Sequence, residues 1–563
     1  MRTFSLLLLT ILFVVSCQTE NPADLILLNG KVYTVNDANQ VVEGVAVKDG
    51  KIFAVGTSEE ISKFQGEATK IIDLEGKAAY PGFVEGHAHI MGVGQNILNI
   101  DLRETKSYQE LIDAVAEKAK DTPEGEWIVG RGWHQDKWGE GPEDMIKGFP
   151  THDLLSEAVP NNPVWLKHAS GHAGLANAKA MEVAGIDGNT PDPDGGEIFR
   201  GLNGSPTGLF NETAQGNIVS VIPAESKSRR EQVLKLAIEH CHEHGITSFH
   251  QAGSPTNDVN LYKEFKERGD LKVRLHVMLS GRDEPLLKEY FENGPVIDTT
   301  DQILNIRAVK LYSDGALGSR GAWLLEEYSD APGVFGHNVT PMEVIEDVTM
   351  RATEAGFQVC THAIGDRGNR EVLDIYEKAL QTYPEMAKDH RFRVEHAQHI
   401  NGLDIPRFAE LGVLPAMQAI HMSSDRPWAI FRLGRDRIVE GAYVWQKLLQ
   451  SGIPIVNGTD APVEPISPFA SLYASVTRKT LAGTPAAGYE PEQKMSREEA
   501  LRSYTIDAAY GAFQEDVVGS LEVGKYADIV VLSKDIMEVP ENEILEAQAM
   551  MTIFQGEVVF ERP

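Results

Sequence analysis

The feature that most constrains the fold is an alternation of short apolar runs with amphipathic helical stretches through the middle of the chain. One repeat of it is a predicted helix at 228–244, then Gly245, then a predicted strand at 246–250. Further predicted strands have the same apolar character and lie at 272–278, 306–312, 357–361, 392–395 and 453–457. Strand, helix, strand at this spacing indicates an α/β fold with a parallel sheet. Over roughly 400 residues, a closed (β/α)8 TIM-like barrel is favoured over an open doubly wound sheet.

Both ends of the chain have a different pattern, with short β-strands separated by turns. The predicted strands lie at 25–29, 31–35, 41–48, 51–56 and 70–73 near the N-terminus, and at 528–532 and 551–559 near the C-terminus. Segments of one kind at both ends predict a small β-sandwich domain built from residues 23–79 and 505–563. The barrel then takes residues 80–504.

Residues 102–222 fit the alternating pattern poorly. They hold four of the seven tryptophans, which are Trp127, Trp133, Trp138 and Trp165, together with Pro- and Gly-rich turns. We interpret this stretch as an insertion after the first barrel strand that partly roofs the site. The alternative is an irregular part of the barrel itself.

Residues 1–16 have the pattern of an export signal. The positively charged Arg2 precedes the apolar run Leu6–Val15, which is too short to span a bilayer, and Cys17 follows. This resembles a bacterial lipoprotein signal and predicts cleavage before Cys17, acylation of that cysteine and a polar tether over 17–22. We therefore expect an exported lipoprotein anchored on the periplasmic or cell-surface side of a membrane. A plain secretory signal or a membrane anchor is the alternative.

The charge of the chain argues against nucleic acid as a partner. Acidic residues outnumber basic residues 83 to 52, for a formal net charge of −31, and no dense run of Lys and Arg interrupts that excess. The two remaining cysteines, Cys241 and Cys360, do not form a disulfide framework. We expect contact with a membrane only through the lipid anchor. The sequence leaves the oligomeric state open, a homodimer included.

The sharpest functional signal is the pair His87 and His89 at the end of the strand-like run 78–85. In an extended chain, residues i and i+2 share a face, so both imidazoles can reach one metal ion. Such a pair is weak evidence alone, but further candidate ligands follow other predicted strands: His362, His396 and Asp460. The C-terminal ends of barrel strands meet on one face, where active sites lie, so we expect these residues to become neighbours.

Lys310 is the most telling single residue. It lies within the apolar run Ile306–Tyr312, where an unpaired ammonium group would be costly to bury. One way to neutralise it is a salt bridge to Asp314 on the same face of the strand. The other is reaction with carbon dioxide to a carbamate, whose two oxygens can bridge two metal ions. Burial favours the neutral amine that this reaction requires.

The order His-x-His, Lys, His, His, Asp on successive strands resembles the amidohydrolase superfamily. Several stretches are similar to its amidohydrolase-3 or YtcJ-like group, which includes an N-substituted formamide deformylase: 81–87, 309–315, 362–366, 395–398 and 458–462. The likeness extends from about residue 23 to 560. It implies His87 and His89 on a buried metal, Lys310 as a carbamylated bridge, His362 and His396 on a second metal, and Asp460 as ligand and base. His399 is a competitor for the ligand role of His396.

The resemblance also implies a reaction. Two divalent cations, Zn2+ in the first instance, supply a hydroxide that attacks a carbonyl of a small-molecule substrate. Asp460 acts as general base and passes the proton to the leaving nitrogen. The expected reaction is hydrolysis of a C–N bond in an amide, an N-acyl or N-formyl compound, or a cyclic amide. The alternatives are an ester, lactone or phosphoester hydrolase on the same site, a site with one metal, and a lipoprotein that binds a ligand without turnover.

Several other polar residues are candidates for substrate contacts: Trp133, Asp136, His172, His250, Asp314 and Arg320. The run of histidines at 240, 242 and 244 looks like a metal cluster, but on a helix the middle residue points away from the other two. We therefore favour a solvated helix end there. Asp366 is either a catalytic residue or a helix N-cap.

Overall fold

The structure is a computed structural model that describes residues 22–103, 105–135, 138–139, 142, 145–168, 173–193, 195–223 and 225–563. The predicted signal, Cys17, Asp136 and His172 lie outside the described residues. The chain divides into two compact units, one that joins the N-terminal segment through Ala88 to His240–Pro563, and one of His89–Glu239. Among the described helices, none is long and apolar enough to cross a membrane.

The strands follow one another along the chain in five groups. The first is β1 (Leu25–Leu28), β2 (Lys31–Tyr33), β3 (Val41–Val42), β4 (Gly44–Lys48), β5 (Lys51–Gly56), β6 (Lys70–Asp73) and β7 (Ala78–Pro81). The second is β8 alone (Phe83–Ala88). The third is β9 (Ile100–Asp101), β10 (Ile128–Trp133), β11 (Met145–Ile146), β12 (Phe149–Pro150), β13 (Val164–His168), β14 (Ala173–Ala176), β15 (Ile198–Arg200) and β16 (Pro206–Asn211). The fourth is β17 (Ile246–Ser254), β18 (Arg274–Ser280), β19 (Leu304–Tyr312), β20 (Gln358–Ala363), β21 (Arg393–His396), β22 (Leu414–Met417) and β23 (Val456–Asn457). The last is β24 (Ile529–Leu532), β25 (Ala549–Phe554) and β26 (Glu557–Glu561).

The helices connect these strands. Up to residue 243 they are α1 (Ser58–Ser62), α2 (Ile90–Leu98), α3 (Tyr108–Lys120), α4 (Asp153–Ala158), α5 (Ala178–Ala184), α6 (Gly216–Val219) and α7 (Lys227–Glu243). Beyond it they are α8 (Thr256–Arg268), α9 (Glu284–Asn293), α10 (Met342–Glu354), α11 (Asp366–Thr382), α12 (Ile405–Leu411), α13 (Ala419–Gly441), α14 (Trp445–Gln450), α15 (Pro468–Thr477), α16 (Arg497–Ser503) and α17 (Ile506–Gly511). Short 3-10 turns lie at Glu212–Gln215, Met386–Lys388, Pro491–Gln493 and Glu541–Glu546.

The barrel is an 8-stranded sheet in which β8 neighbours β17 and each later strand pairs in parallel with the next, as far as β23. The sheet closes just beyond β23. There the Thr459 N–H donates to Glu85 Oε1 at 2.8 Å, and the Asp460 N–H donates to the His87 carbonyl at 2.7 Å. The predicted (β/α)8 barrel is therefore confirmed.

The two ends of the chain build one β-sandwich, as predicted. One sheet has the order β5-β4-β1-β6, and the other has the order β26-β25-β24-β7-β2-β3. Antiparallel pairing of β24 with β7 joins the C-terminal to the N-terminal segment, with Val530 opposite Tyr80. Buried apolar residues from both segments share one core, among them Leu27, Val45 and Ile529.

Three details of the strand prediction are wrong. The predicted strand 41–48 is two strands, β3 and β4, which belong to different sheets. The predicted strand 551–559 is a hairpin of β25 and β26, because Gln555 and Gly556 adopt φ of 49° and 78°, the left-handed pair of a tight type I′ turn. The barrel strand β22 has no counterpart among the predicted strands. Its four residues include Pro415, which pairs opposite Val394, and a proline in a short apolar run argues against a central strand.

The unit His89–Glu239 lies between β8 and β17 in the chain, as expected for an insertion after the first barrel strand. The sequence pattern placed this insertion at about 102–222. The unit contains a 6-stranded sheet of order β15-β16-β14-β13-β10-β9. Its tryptophans serve the core, since Trp133 and Trp138 belong to one buried cluster and Trp165 to another.

A buried ion pair ties the barrel to the sandwich within the first unit. Arg274 at the start of β18 donates through Nε to Asp528 Oδ2 at 3.0 Å, and both side chains are buried. Arg274 Nη1 also donates to the Asp301 carbonyl at 2.8 Å, and the guanidinium lies over the Tyr526 ring at 4.3 Å. Since the charges are paired and hydrogen-bonded, removal of one partner leaves the other uncompensated.

We expect Asp528→Asn to lower the free energy of unfolding by about 3–5 kcal/mol, because it leaves the Arg274 charge buried without its partner. Urea denaturation followed by circular dichroism measures the change. Glu385→Gln is the matched control, since its partner Lys388 and Glu385 itself are 70% and 86% exposed, and it should leave the stability nearly unchanged. Equal effects of the two variants would contradict the assignment.

Candidate metal centre

Five of the predicted metal ligands lie at one end of the barrel. His87 belongs to β8, Lys310 to β19, His362 to β20 and His396 to β21, while Asp460 follows β23. The side chains of His87, Lys310, His396 and Asp460 are buried, and His362 is half-buried. Each lies at or near the C-terminal end of a parallel barrel strand, where the active sites of such barrels are found.

Ligand atoms of His87, His396 and Asp460 lie within 4.8 Å of one another. His87 Nε2 is 3.7 Å from Asp460 Oδ1 and 3.5 Å from Lys310 Nζ. The His362 ring joins this cluster, with its centroid 4.4 Å from that of His396. The structure thus brings five of the six predicted ligands together.

His89, the sixth predicted ligand, directly follows β8 and belongs to the other unit. It is half-buried and is the N-cap residue of α2, with extended φ and ψ of −123° and 90°. Its role as a metal ligand stays a prediction.

The backbone at two of the ligands is strained. His396 has φ of 73° and Asp460 has φ of 57°, both in the left-handed region that non-glycine residues rarely adopt. Such conformations persist only where the surrounding structure enforces them, and they concentrate at functional sites. The strain is seen in the backbone and does not depend on the side chains. It therefore marks the ends of β21 and β23 independently of the residue types found there.

Protein partners hold the far side of the imidazoles. His87 Nδ1 hydrogen-bonds Glu395 Oε2, and His396 Nδ1 lies 2.7 Å from Gln418 Oε1. Arg393 in turn donates through Nη2 to Glu395 Oε2 at 2.9 Å and to the Gly86 carbonyl at 2.7 Å. Metal-binding histidines in proteins characteristically use their second nitrogen in this way, which fixes the ring and leaves Nε2 for the ion.

The electrostatics keep the imidazoles neutral. Burial lowers the pKa of His87 to about 4 and that of His362 to about 3. Burial also lowers the pKa of Lys310 to about 8. Burial would raise the pKa of Glu395, but Arg393 and His87 hold it well below its usual value. Neutral imidazoles beside an ionised carboxylate are the protonation states that metal binding requires.

The residues present fit a divalent metal ion. The donors are imidazole nitrogens and a carboxylate, a set that proteins use for zinc and similar cations. His362 Nε2 is buried and has no hydrogen-bond partner in the part of the chain that the structure describes. A nitrogen lone pair placed in this way beside His396 is suited to coordinate a cation.

The surroundings of Asp314 do not fit a salt bridge to Lys310, one of the two ways predicted to neutralise that lysine. Its carboxylate is buried and accepts backbone N–H groups from Trp323, Ile364 and Gly365 at 2.8, 2.9 and 2.8 Å. These bonds hold the loop after β19 against the loop after β20. The carboxylate also lies 3.5 Å from His362 Nε2. Its predicted role as a substrate contact stays a prediction.

The other described residues predicted to contact substrate do not form one group. His250 is buried inside the barrel, with Nδ1 3.1 Å from the Gly86 carbonyl. Arg320 pairs with Asp330 at 2.9 Å, and Trp133 is buried in the core of the second unit. Their substrate roles stay predictions.

The structure also shows the surroundings of the histidine run at 240–244 and of Asp366. His240 Nδ1 lies 2.9 Å from Glu243 Oε2, while His242 is buried and its Nε2 lies 2.7 Å from the Lys272 carbonyl. The middle histidine of this run therefore points away from its neighbour. Asp366 begins α11, and its Oδ1 accepts the Leu325 N–H at 2.9 Å.

The residues that orient the ligands are not among the predicted site residues. Arg393 lies within the predicted strand 392–395, and Gln418 follows β22, which was not predicted. The sequence offers one signal, which is charge. Arg393 and Glu395 are two residues apart on a strand and therefore share a face, and the residue between them, Val394, is apolar.

A barrel with a buried donor set at the C-terminal ends of its strands is suited to metal-dependent catalysis. The pattern of the amidohydrolase family matches residues 70–560, and the chain belongs to that family. YtcJ of Bacillus subtilis is 32% identical over 95% of this chain and 98% of its own. The N-substituted formamide deformylase of Arthrobacter pascens is 27% identical over 96% of this chain and 98% of its own. These matches confirm the predicted resemblance to the YtcJ-like group.

Solved structures agree with the fold. The crystal structure of an uncharacterized metal-dependent hydrolase from Pyrococcus horikoshii has a TM-score of 0.75 and 27% sequence identity, and the match covers 92% of this chain and 99% of that one.

We expect Glu395→Gln to weaken zinc binding by about 10- to 100-fold, because it removes the charged acceptor that orients His87. Competition titration of the metal-free protein against a chromophoric chelator measures the affinity. The exposed control Glu385→Gln should bind as the unaltered protein does. Unchanged affinity in Glu395→Gln, with the fold intact by circular dichroism, would show that this contact does not support metal binding.

Proposed function

We propose that this protein hydrolyses a C–N bond of a small molecule, in an amide, an N-acyl or N-formyl compound, or a cyclic amide. The observation that carries the proposal is the cluster of His87, His396 and Asp460, whose ligand atoms lie within 4.8 Å of one another. Membership of the amidohydrolase family supports it. The relative named N-substituted formamide deformylase supports the choice of a C–N bond.

In this proposal two zinc ions are held by six residues, namely His87, His89, Lys310, His362, His396 and Asp460. Divalent cations at such a site polarise the carbonyl under attack and make a water molecule acidic enough to act as nucleophile. The neutral imidazoles of His87 and His362 supply lone pairs to the cations. The charge of the cations, and not the distant acidic surface of the chain, sets the local potential.

Asp460 is the proposed general base. Its side chain is only 10% exposed, which keeps most bulk water away from the proton that it handles. The hydrogen bond from its N–H to the His87 carbonyl, at 2.7 Å, fixes the carboxylate beside the metal ligands. Asp460 takes the proton of the attacking water and delivers it to the leaving nitrogen, which departs as a neutral amine.

Lys310 is the proposed site of a carbamate. Its neutral amine attacks carbon dioxide, forms an N–C bond and releases one proton, so that a neutral side chain becomes an anion with two oxygens. The amine is buried and 3.5 Å from His87 Nε2. Glu395 and Asp460 act on it electrostatically, and neither forms an ion pair with it among the described residues.

We expect Asp460→Asn to lower kcat by about 10²- to 10⁴-fold, because the amide cannot accept the proton. The assay compares N-formyl amines, N-acyl amines and cyclic amides with esters of the same acyl groups. Asp436→Asn on an exposed turn of α13 is the control and should retain full activity. Full activity of Asp460→Asn, or hydrolysis of the esters alone, would overturn the proposal.

Reconstitution of the metal-free protein tests the role of Lys310. With bicarbonate present we expect about two equivalents of zinc to bind, and fewer in carbon dioxide-free buffer, because the bridging carbamate cannot form. Lys310→Met should bind the smaller amount in both buffers, while the exposed control Lys388→Met should behave as the unaltered protein does. Zinc is counted by atomic emission. Full loading of Lys310→Met would rule out the carbamate.

A further inference from the structure

A third imidazole extends the row of histidines at the metal centre. The His362 and His396 centroids are 4.4 Å apart, and the His421 ring lies 6.1 Å beyond His396 at an interplanar angle of 14°. His421 occupies the first turn of α13, which begins directly after β22. Gln418, just before that helix, hydrogen-bonds His396. His421 therefore lies at the same end of the barrel as the proposed ligands.

His421 is not placed as a metal ligand. Its ring centroid lies 6.1 Å from that of His396, whereas the centroid of the proposed ligand His362 lies 4.4 Å from it. Yet His421 Nε2 is buried and has no hydrogen-bond partner in the described part of the chain. Buried polar atoms in native proteins are nearly always hydrogen-bonded, so this nitrogen is available to a bound molecule.

Asp425 lies one helical turn beyond His421, on the same face of α13. Gln398 Nε2 and the Tyr443 hydroxyl both donate to Asp425 Oδ2, at 3.2 and 3.3 Å. Its Oδ1 has no hydrogen-bond partner, and no Lys or Arg forms an ion pair with it, among the residues that the structure describes. The adjacent Arg426 is already paired with Glu490 at 2.7 Å.

Two carboxyl groups lie on this side of the centre. Glu464 lies near enough to Asp425 to act on it electrostatically, as does His421. Glu464, like Asp425, has no ion-pair partner among the described residues. A carboxylate on a bound molecule would be repelled here, whereas a neutral or amine-bearing group would not.

We propose that His421 and Asp425 form the wall of the substrate pocket on the β22 side. His421 Nε2 hydrogen-bonds a polar group of the bound substrate, and Asp425 selects against carboxylates. This rests on the proposed function and narrows it: the substrates are N-acyl or related amides whose remaining part is neutral or carries an amine.

Three hydroxamates of matched chain length test the selection without any turnover. Butyrohydroxamate is neutral, 4-aminobutyrohydroxamate is cationic and succinic acid monohydroxamate is anionic. Hydroxamates bind metal ions through an amide-like group, so the distal group probes the wall. By calorimetry on the zinc-loaded protein, we expect the anionic probe to bind about tenfold more weakly than the neutral one, and the cationic probe to bind at least as tightly as the neutral one.

Three variants separate the two roles. Asp425→Asn should bring the three probes to within about threefold of one another and leave the neutral probe nearly unaffected. His421→Ala should weaken all three by about five- to tenfold, with its zinc content unchanged, because one hydrogen bond is lost. Ser424→Ala, exposed on the same helix between them, should bind all three as the unaltered protein does.

The proposal is overturned if the unaltered protein does not bind the probes or binds the anionic probe as tightly as the neutral one, or if His421→Ala binds all three normally. It is also overturned if His421→Ala loses an equivalent of zinc, since His421 is then a ligand. Amide hydrolysis without the charge preference would refute this inference and leave the proposed function standing. The preference without any amide hydrolysis would refute the proposed function and the amide substrates with it, and would leave only the places of His421 and Asp425 in the pocket wall.

Discussion

The metal centre depends on the seam where the barrel closes between β8 and β23. Glu85 accepts the N–H and hydroxyl of Thr459, at 2.8 and 2.9 Å, across this seam. Glycine is required on both sides, because a Cβ on Gly86 would lie 2.3 Å from the Asn457 carbonyl oxygen and a Cβ on Gly458 would lie 2.3 Å from Glu85 Oε1. Only this close approach lets two segments from opposite ends of the barrel sequence bring His87 and Asp460 within reach of one ion.

The chemistry of the centre follows from this seam and from burial. Burial makes the imidazoles neutral. Arg393 holds the Glu395 carboxylate, and that carboxylate orients His87. The same barrel end carries His362 and His396, so that donors from four strands face a common point. Such an arrangement is rigid, since His87, Lys310, His362 and His396 stand on paired strands and the Asp460 N–H is bonded to the His87 carbonyl.

Local periodicity predicts the barrel and the split sandwich, and the places after predicted strands together with the family resemblance predict the candidate ligands. Alternation with period two places His87 and His89, and an apolar run around a lysine marks Lys310. The missed features depend on distant partners or on exceptions to local rules. Because β22 contains Pro415, it was not predicted as a strand. Gln418 and His421, which follow it, were therefore not predicted to lie at the end of the barrel. The hairpin at Gln555 and Gly556 turns without the usual Asn-Gly signal, and the pairing of Glu395 with His87 joins residues that no local pattern relates.

Anomalous diffraction at the zinc edge, from crystals of the zinc-loaded protein, shows directly where the metal binds. We expect anomalous density among His87, Lys310, His362, His396 and Asp460. The competing location is the surface cluster of His240, Glu243 and His244, which also has ligand atoms within 4.8 Å of one another. Zinc found only there, with none at the ends of the barrel strands, would show that the barrel site is not the metal centre.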